Sequence, residues 1–258
     1  MALPNIRTKR GIAKALRQYA RSMSGWARWS RKTSKMRARA ANAFLLGVMF
    51  DRSVSADRAW DAAQWICDAV GESDDVGALW RALRDMDPRR LRGFLRYGYG
   101  GCAFHRHYKT FARLLPQAAH HLLAHYGGDP RRIWGGQRDV TEVRRRLDAI
   151  PAIGPALAKM AVLILAREHG LLGGKKASPQ LDVKPDVHVR RVFLRTGLIP
   201  HGASIEAVLQ SARQVAPDFP ASLDAPAWEI GRNWCRPQRP KCPECPLDEV
   251  CPRVGLRH

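Results

Sequence analysis

The chain has 258 residues, and its 44 lysines and arginines against 23 aspartates and glutamates give a net charge of +21. Such an excess predicts a polyanionic partner, above all nucleic acid. The sequence contains no run of eighteen apolar residues, which argues against a transmembrane span, and it begins without an apolar signal segment. With only six cysteines in a chain of this length, we expect a protein of a reducing compartment rather than a disulfide scaffold.

The positive charge is concentrated at the N-terminus, because Asp51 is the first acidic residue and twelve lysines and arginines precede it. Such a run either forms a solvated arm or lies on DNA phosphates, and the first twenty residues leave both possibilities open. Trp26 and Trp29 lie three residues apart in the same basic region. This spacing predicts a helix that docks on the protein and keeps a basic outer face.

The periodicity of apolar residues is helical almost throughout, and no alternating strand pattern of useful length appears. We therefore predict an all-α fold. The helices predicted before the first strong turn cover residues 41–50, 58–69, 75–86, 88–97 and 104–126. The turn itself reads Gly-Gly-Asp-Pro at residues 127–130, a sequence that a helix does not cross.

Residues 147–161 predict two helices joined by a tight turn. The first helix ends at Pro151, the turn is centred on Ile153 and Gly154, and Pro155 takes the first position of the second helix. The amide donors at the start of that helix, together with its dipole, form a site for a DNA phosphate. The same pattern also fits a plain αα-hairpin within a helical core.

A further helix is predicted after the extended segment that ends at Pro185. Asp186 is placed to cap this helix, and Val189, Val192 and Phe193 give it an apolar face. On the residues alone, capping is a sufficient explanation for Asp186.

Four cysteines near the C-terminus follow the pattern C-x6-C-x2-C-x5-C, and they are Cys235, Cys242, Cys245 and Cys251. Thiolates are the ligands that soft or borderline metals prefer. A structural zinc site usually pairs two C-x2-C halves across a longer gap, whereas these four cysteines form one continuous loop. The spacing therefore favours a [4Fe-4S] cluster over zinc.

The cysteine loop, the helix that precedes it at residues 228–235, the hairpin and the Asp186 segment together resemble the endonuclease III branch of the helix-hairpin-helix DNA glycosylases. The hairpin motif of that family is written L-P-G-x-G, and residues 150–154 read I-P-A-I-G. The resemblance covers roughly residues 40–252 and implies an all-α, two-lobed glycosylase fold with an iron–sulfur cluster loop. The resemblance divides the chain into three segments. Residues 1–40 form a basic N-terminal segment that packs with the C-terminal lobe. Residues 41–168 form a helical barrel with the hairpin, and residues 169–258 form a domain with the catalytic aspartate and the cluster.

The family has an essential aspartate in a V-D-x-H context, and the resemblance assigns this catalytic role to Asp186. A carboxylate beside the sugar stabilises the positive charge that develops as the base leaves, and it orients or deprotonates the attacking water. Bifunctional members have a lysine at the position of Ala156 that attacks the sugar, so the alanine implies a monofunctional enzyme. Lys159, one helical turn further on, is the alternative nucleophile. Asp182 is a weaker candidate for the acid.

The resemblance also implies residues that contact DNA and the extruded base. In the family, the loop after an early buried helix fills the space that the flipped base vacates, and Arg52 is the candidate for that role here. The candidate DNA-binding residues are Arg52, Ile153, Gly154, Ala156, Lys159, His188 and Arg190. The candidate base-pocket residues are Asp51, Tyr99, His105 and Tyr108. A capped loop and an aromatic core would produce the same sequence features.

We therefore expect a base-excision-repair DNA glycosylase that hydrolyses the N-glycosidic bond of a damaged, mismatched or modified base. Two alternatives stay open: a bifunctional glycosylase and abasic-site lyase that uses Lys159, and a non-catalytic module that binds DNA damage. The expected partner is double-stranded DNA with a lesion or modified base, and the expected cofactor is a [4Fe-4S] cluster. We expect a cytoplasmic monomer at the bacterial nucleoid, without membrane contact.

Overall fold

The computed structural model describes residues 4–23, 37–70, 75–136, 139–172 and 179–256. Within these ranges the fold is all-α, as predicted, and the single β-type pairing is an isolated bridge between Tyr99 and Cys102. The helices are α1 Ile6–Ser22, α2 Ala38–Phe50, α3 Ala56–Val70, α4 Ala78–Asp85, α5 Pro88–Tyr97, α6 Tyr108–Tyr126, α7 Arg131–Trp134, α8 Val140–Asp148, α9 Pro155–Arg167, α10 Val187–Arg195, α11 Ile205–Val215 and α12 Asp224–Asn233. Among the described residues, 3₁₀ helices include Pro220–Leu223 and Cys242–Glu244.

The chain divides into two compact units. The first combines Met1–Trp26 with Lys175–His258, and we call it the cysteine unit because it contains the four clustered cysteines. The second is Ala27–Gly174, which contains α8 and α9, and we call it the hairpin unit.

The hairpin unit is built around α2, in which every residue from 41 to 50 is buried. This helix packs against α3 and α9. Gly47 makes the close contact with α3 possible, because a Cβ atom there would lie only 2.5 Å from the Trp60 ring. At the end of α2, the Phe50 ring packs edge-on against Phe111 with a centroid distance of 4.9 Å. These contacts fix the position of the loop that follows α2.

The cysteine unit has its own core, to which the N-terminal helix contributes. Ile12 and Leu16 on the inner face of α1 are buried in one cluster with Phe193 of α10 and Val208 of α11. α1 also packs against α12 and the 3₁₀ helix Pro220–Leu223. The basic N-terminal sequence thus includes a helix that is an integral part of this unit.

The observed helix ends differ from the predicted ones, as at the start of α6. α6 begins at Tyr108 rather than at residue 104, because residues 104–107 form a turn in which the N–H of His107 donates to Nδ1 of His105 and the N–H of Tyr108 donates to the carbonyl of His105. Trp26 and Trp29, which we predicted in a docked helix, lie outside the described residues. Among the described residues, none of the helices combines the length and the apolar composition that a membrane span requires.

Candidate functional site

The turn between α8 and α9 is fixed by backbone hydrogen bonds. The N–H of Ile150 donates to the carbonyl of Leu147 at 3.1 Å, and the N–H of Ile153 donates to the carbonyl of Ile150 at 3.0 Å. Between them, Ala152 has φ of +75°, in the left-handed region that glycine favours and other residues enter at a cost of about 1–2 kcal/mol. The alanine that replaces the family's glycine therefore keeps a glycine-like backbone conformation.

The N-terminus of α9 is open to an anion. Gly154 is the N-cap residue, no side chain caps the helix, and the space beside its Cα is empty to 4 Å. Pro155, at the predicted first position, has no N–H, and the N–H groups of Ala156 and Leu157 have no acceptor among the described residues. The first regular bond is from Ala158 to the carbonyl of Gly154, at 2.9 Å. Free amides and the helix dipole together favour a phosphate here.

Arg52 connects the loop after α2 to this turn. One guanidinium N–H donates to the backbone carbonyl of Ala152, and the guanidinium lies 5.8 Å from the centroid of the Phe111 ring. The Nε atom is buried and has no partner among the described residues, and burial lowers the pKa of Arg52. Arg52, the candidate wedge residue, therefore contacts the hairpin turn directly.

His105 holds the same loop from the other side. Its ring is fully buried; Nε2 lies 3.1 Å from the carbonyl of Phe50 and 3.0 Å from that of Arg52, and Nδ1 accepts the N–H of His107 at 2.9 Å. This arrangement requires the neutral tautomer with the proton on Nε2. Burial lowers the pKa of His105 from 6.5 to about 4, so the ring stays neutral at physiological pH. His105 thus contacts the backbone of the loop.

The other candidate base-pocket residues are Asp51, Tyr99 and Tyr108, and each lies on the loop after α2 or on the segment that contacts it through His105. Asp51 is the C-cap residue of α2, and its N–H donates to the carbonyl of Gly47 at 3.0 Å. The Tyr99 ring packs edge-on against Trp65 at 5.4 Å, and the half-buried Tyr108 begins α6. Through His105, the segment that carries both tyrosines is joined to the loop that carries Asp51.

The two positions relevant to covalent chemistry lie on the first turns of α9. Ala156 is exposed, and Lys159 is half-buried. Residues three apart on a helix lie on neighbouring parts of one face. The exposed position at the helix start therefore carries no amine, and the nearest lysine along α9 lies one turn further in.

Asp186 is the N-cap residue of α10, as predicted. Its Oδ1 atom accepts the N–H of His188 and the N–H of Val189, both at 2.9 Å, while the side chain remains half-buried. Both cap bonds are made to one oxygen, so Oδ2 has no hydrogen bond to any described residue. The cap fixes the orientation of the carboxylate, and the helix N-terminus stabilises its negative charge.

Asp182 is held in a different environment. Its side chain is 3% exposed and forms a two-pronged ion pair with Arg213, at 2.9 Å from Nε to Oδ1 and 2.8 Å from Nη2 to Oδ2. Both oxygens are therefore occupied by a guanidinium. The geometry of Asp182 is that of a structural carboxylate, whereas Asp186 keeps one oxygen available to a ligand.

The remaining DNA-binding candidates on α10 differ in their surroundings. His188 Nδ1 lies 3.1 Å from Nη2 of Arg191, and its ring packs edge-on against Trp228. Arg191 also donates to the carbonyl of Cys235 at 2.5 Å, and its pKa is lowered by burial. Arg190 is exposed and donates to the carbonyl of Ala203 at 2.9 Å. Of these three side chains, Arg190 is the one that faces solvent.

The four cysteines of the C-terminal loop line one cavity. Two arginines and three other side chains complete the lining, and the full set is Arg195, Trp234, Cys235, Cys242, Cys245, Asp248, Cys251, Arg253 and Leu256. The loop is shaped by backbone bonds, among them Cys245 N–H to the carbonyl of Cys242 at 3.0 Å and Cys251 N–H to that of Leu247 at 2.8 Å. Three of the four cysteines also pack against the core of the unit.

Arg195 closes one side of this cavity. Its buried guanidinium donates to Cys235 Sγ at 3.4 Å, to the carbonyl of Arg236 at 2.6 Å and to that of Pro237 at 2.9 Å. Its own carbonyl accepts the N–H of Val254 at 2.9 Å. The Arg195 side chain thus joins the end of α10 to Cys235, the first candidate metal ligand, and to the two residues after it.

Four thiolates would suit the cationic core of an iron–sulfur cluster. Burial raises the pKa of Cys245 to about 11 and also raises that of Cys251, so these half-buried thiols would ionise only beside a positive centre. Within the described ranges, no three histidine, cysteine, aspartate or glutamate side chains converge closely enough to hold a single ion.

No protein-family model and no curated protein matches this sequence. Solved structures do match it. The chain is similar to endonuclease III in a non-covalent DNA complex, with a TM-score of 0.59, 19% identity and coverage of 87% of this chain and 92% of that chain. The trapped covalent endonuclease III–DNA intermediate gives 0.58 with the same identity and coverage. A thermostable thymine-DNA glycosylase gives a TM-score of 0.64, with 13% identity and 96% coverage of both chains.

The chain has the all-α fold of these solved structures. Within this fold, three contacts near the candidate sites carry no local sequence signal. They are Arg52 to Ala152, His105 to the loop after α2, and Arg195 to Cys235. Each joins residues that are far apart in the chain. The sequence predicted a role in DNA binding for Arg52 and in the base pocket for His105, but it did not predict their contacts with the backbone. It predicted no role for Arg195.

Proposed function

We propose that this protein is a DNA glycosylase that hydrolyses the N-glycosidic bond of a damaged, mismatched or modified base. The observation that carries the proposal is the state of Asp186. Its Oδ1 atom is committed to the cap of α10, and its Oδ2 atom is left without a bond to any described residue. An oriented carboxylate with one available oxygen is suited to hold a water molecule for attack.

The chemistry follows from the charge that develops when a base leaves deoxyribose. The sugar approaches an oxocarbenium ion, and a fixed carboxylate stabilises it because the group needs no reorientation as the charge appears. Asp186 Oδ2 would accept a proton from the attacking water, whose oxygen bonds to the anomeric carbon as the bond to the base breaks. The base departs with the bonding electrons, and the product is an intact abasic strand.

DNA binding is supported by the hairpin and by the net charge. The uncapped N-terminus of α9 offers amide donors to a phosphate, and a charge of +21 favours a polyanion. Two of the similar structures are DNA complexes of endonuclease III, and the third is a thymine-DNA glycosylase. On this basis we assign double-stranded DNA as the partner.

The absence of an amine at Ala156 supports hydrolysis without strand cleavage. Because this exposed position carries a methyl group, a Schiff base with the sugar cannot form there. The alternative, in which Lys159 is the nucleophile, requires a half-buried side chain to reach the sugar. We therefore propose a monofunctional glycosylase.

We propose that Cys235, Cys242, Cys245 and Cys251 hold a [4Fe-4S] cluster. These four residues line one cavity, and burial raises the pKa of Cys245, so that thiol needs a positive centre to ionise. When bound, the cluster supplies structural order to the loop between α12 and the C-terminus. Arg195, which donates to Cys235 Sγ, keeps that ligand in place.

The test is single-turnover cleavage of end-labelled duplexes that carry uracil, mismatched thymine, oxidised or alkylated bases, with and without alkali. We expect breaks only after alkali for at least one substrate. Asp186→Asn should lower that rate by about 10²–10⁴-fold because asparagine keeps the cap but cannot accept the proton. Activity of Asp186→Asn equal to that of the unmodified protein would refute the assignment.

A matched control is Asp182→Asn, which makes the same change at a carboxylate four residues earlier in the chain. Because this removes one charge of the pair with Arg213, we expect a loss of about 1–3 kcal/mol in unfolding free energy and a nearly unchanged rate for the folded protein. If no duplex in the panel is cleaved while lesion-containing DNA is still bound more tightly than intact DNA, the chain is a damage-binding module instead.

A further inference from the structure

The outer face of α1 carries a row of positive side chains. The helix contains six lysines and arginines and no acidic residue. Four of them recur at intervals of four, three and four residues, which places them on one face, and they are Arg10, Lys14, Arg17 and Arg21. Like charges at such spacings destabilise a helix, so the row lowers the intrinsic stability of α1.

These four side chains line a depression of about 230 Å³ on the cysteine unit. The rest of its lining is Ala13, Gln18 and Val215, so no residue of the lining carries a carboxylate. None is aromatic either, which makes base stacking an unsuitable mode of binding. We call this depression the α1 groove. Its composition suits an anion that is recognised by charge rather than by base identity.

One cation of the α1 groove is held in place by the protein. Arg17 donates to Ser222 Oγ at 2.8 Å and to Asp218 Oδ1 at 2.7 Å. By contrast, Arg10, Lys14 and Arg21 are exposed, and their side chains have no hydrogen bond or ion pair with any described residue. Arg17 therefore anchors the floor of the groove, while three cations remain available to a ligand.

We propose that the α1 groove binds the sugar-phosphate backbone of duplex DNA beyond the base pairs next to the target base. The inference rests on the proposed function, which brings a long polyanion to this chain. From Arg10 to Arg21 the helix rises about 16 Å, which matches about five phosphates along one strand. The contact extends the footprint on DNA without reading its sequence.

The test compares undamaged duplexes about one and about three helical turns long, bound by the full chain. The unmodified protein should bind the longer duplex more tightly. The combined variant Arg10→Gln, Lys14→Gln and Arg21→Gln should lose this gain. The binding constant for the longer duplex should also depend less steeply on salt concentration, by an amount that corresponds to up to about three phosphate contacts. Binding to the short duplex should change by less than about threefold.

A matched control removes three exposed arginines from α5, with Arg89→Gln, Arg90→Gln and Arg92→Gln. This control has the same net charge as the first variant but leaves the α1 groove intact. It should therefore still bind the longer duplex more tightly than the short one. The proposal is overturned if the α1 variant keeps the gain, if both variants lose it equally, or if the α1 variant weakens binding to both duplexes to the same extent.

Two further measurements separate this inference from the proposed function. Single-turnover excision on the short lesion-containing duplex should be the same in the α1 variant and the unmodified protein, and a loss there would assign these residues to the reaction site. Titration with inorganic phosphate and with anionic vesicles identifies other ligands. Saturable binding of either that depends on the three residues, without an effect of duplex length, would overturn the assignment to DNA.

Discussion

The guanidinium of Arg52 donates a hydrogen bond to the backbone carbonyl of Ala152, one hundred positions further along the chain. The first residue belongs to the loop after α2, and the second is the left-handed residue of the hairpin turn. The contact couples the loop to the turn that presents the N-terminus of α9. A change in either segment is therefore expected to alter the geometry of both.

The conformation of Ala152 leads to a stability prediction. Ala152→Gly should raise the free energy of unfolding by about 0.5–1 kcal/mol, because relief of the positive φ outweighs the extra chain entropy of glycine. The matched control is Ala149→Gly, at a position with φ of −73°, where the same change should lower stability by about 0.5–1 kcal/mol. Urea unfolding of both variants measures the difference. Equal destabilisation by both would contradict the strain at residue 152.

The burial of His105 leads to a prediction about pH. Because the pKa is lowered from 6.5 to about 4, the folded state favours the neutral ring. The stability that this provides is present above pH 6.5 and is lost as the pH falls through about 4, by up to about 3 kcal/mol. His105→Gln should remove this part of the pH dependence, whereas His201→Gln, at an exposed histidine, should retain it. Urea unfolding between pH 7 and 4 tests the pair, and parallel profiles for His105→Gln and the unmodified protein would exclude the buried ring as the source.

Local sequence signals predicted the parts of the site that depend on local structure. Pro155 begins α9 and Asp186 caps α10, because a missing N–H and a short carboxylate have strong positional preferences at helix starts. The spacing of the cysteines likewise placed Cys235 and Cys251 in one loop, and the structure places them around one cavity. In these cases a few neighbouring residues determine the structure.

The parts that the sequence did not predict depend on contacts between distant segments. Arg52 was a candidate for insertion into DNA, but nothing near it in sequence indicates a bond to residue 152. His105 was a candidate for the base pocket, and its complete burial follows from the packing of Phe104 and Phe111 against its ring. The role of Arg195 at Cys235 Sγ was missed for the same reason.

The start of α9 leads to a prediction about covalent chemistry. Borohydride should trap no complex between the unmodified protein and lesion-containing DNA, and Lys159→Ala should change neither this result nor the excision rate by more than a few fold. Ala156→Lys places an amine at an exposed position and costs only a few tenths of a kcal/mol of helix stability. We expect trapping to appear in that variant. Trapping of the unmodified protein that Lys159→Ala abolishes would make Lys159 the nucleophile.

The cysteine cavity leads to a prediction about the metal. Protein purified without oxygen should contain about four iron and four sulfide per chain. Cys245→Ser should lose most of the iron and the visible absorption, because the half-buried thiol is replaced by a hydroxyl, which is a poor ligand for iron. Cys245 packs against the core of the cysteine unit, so the loss should also lower the thermal stability of that unit. Cys102→Ser, at an exposed cysteine of the hairpin unit, is the matched control and should retain the iron. Zinc in place of iron in the unmodified protein, or iron content equal in the two variants, would exclude the cluster.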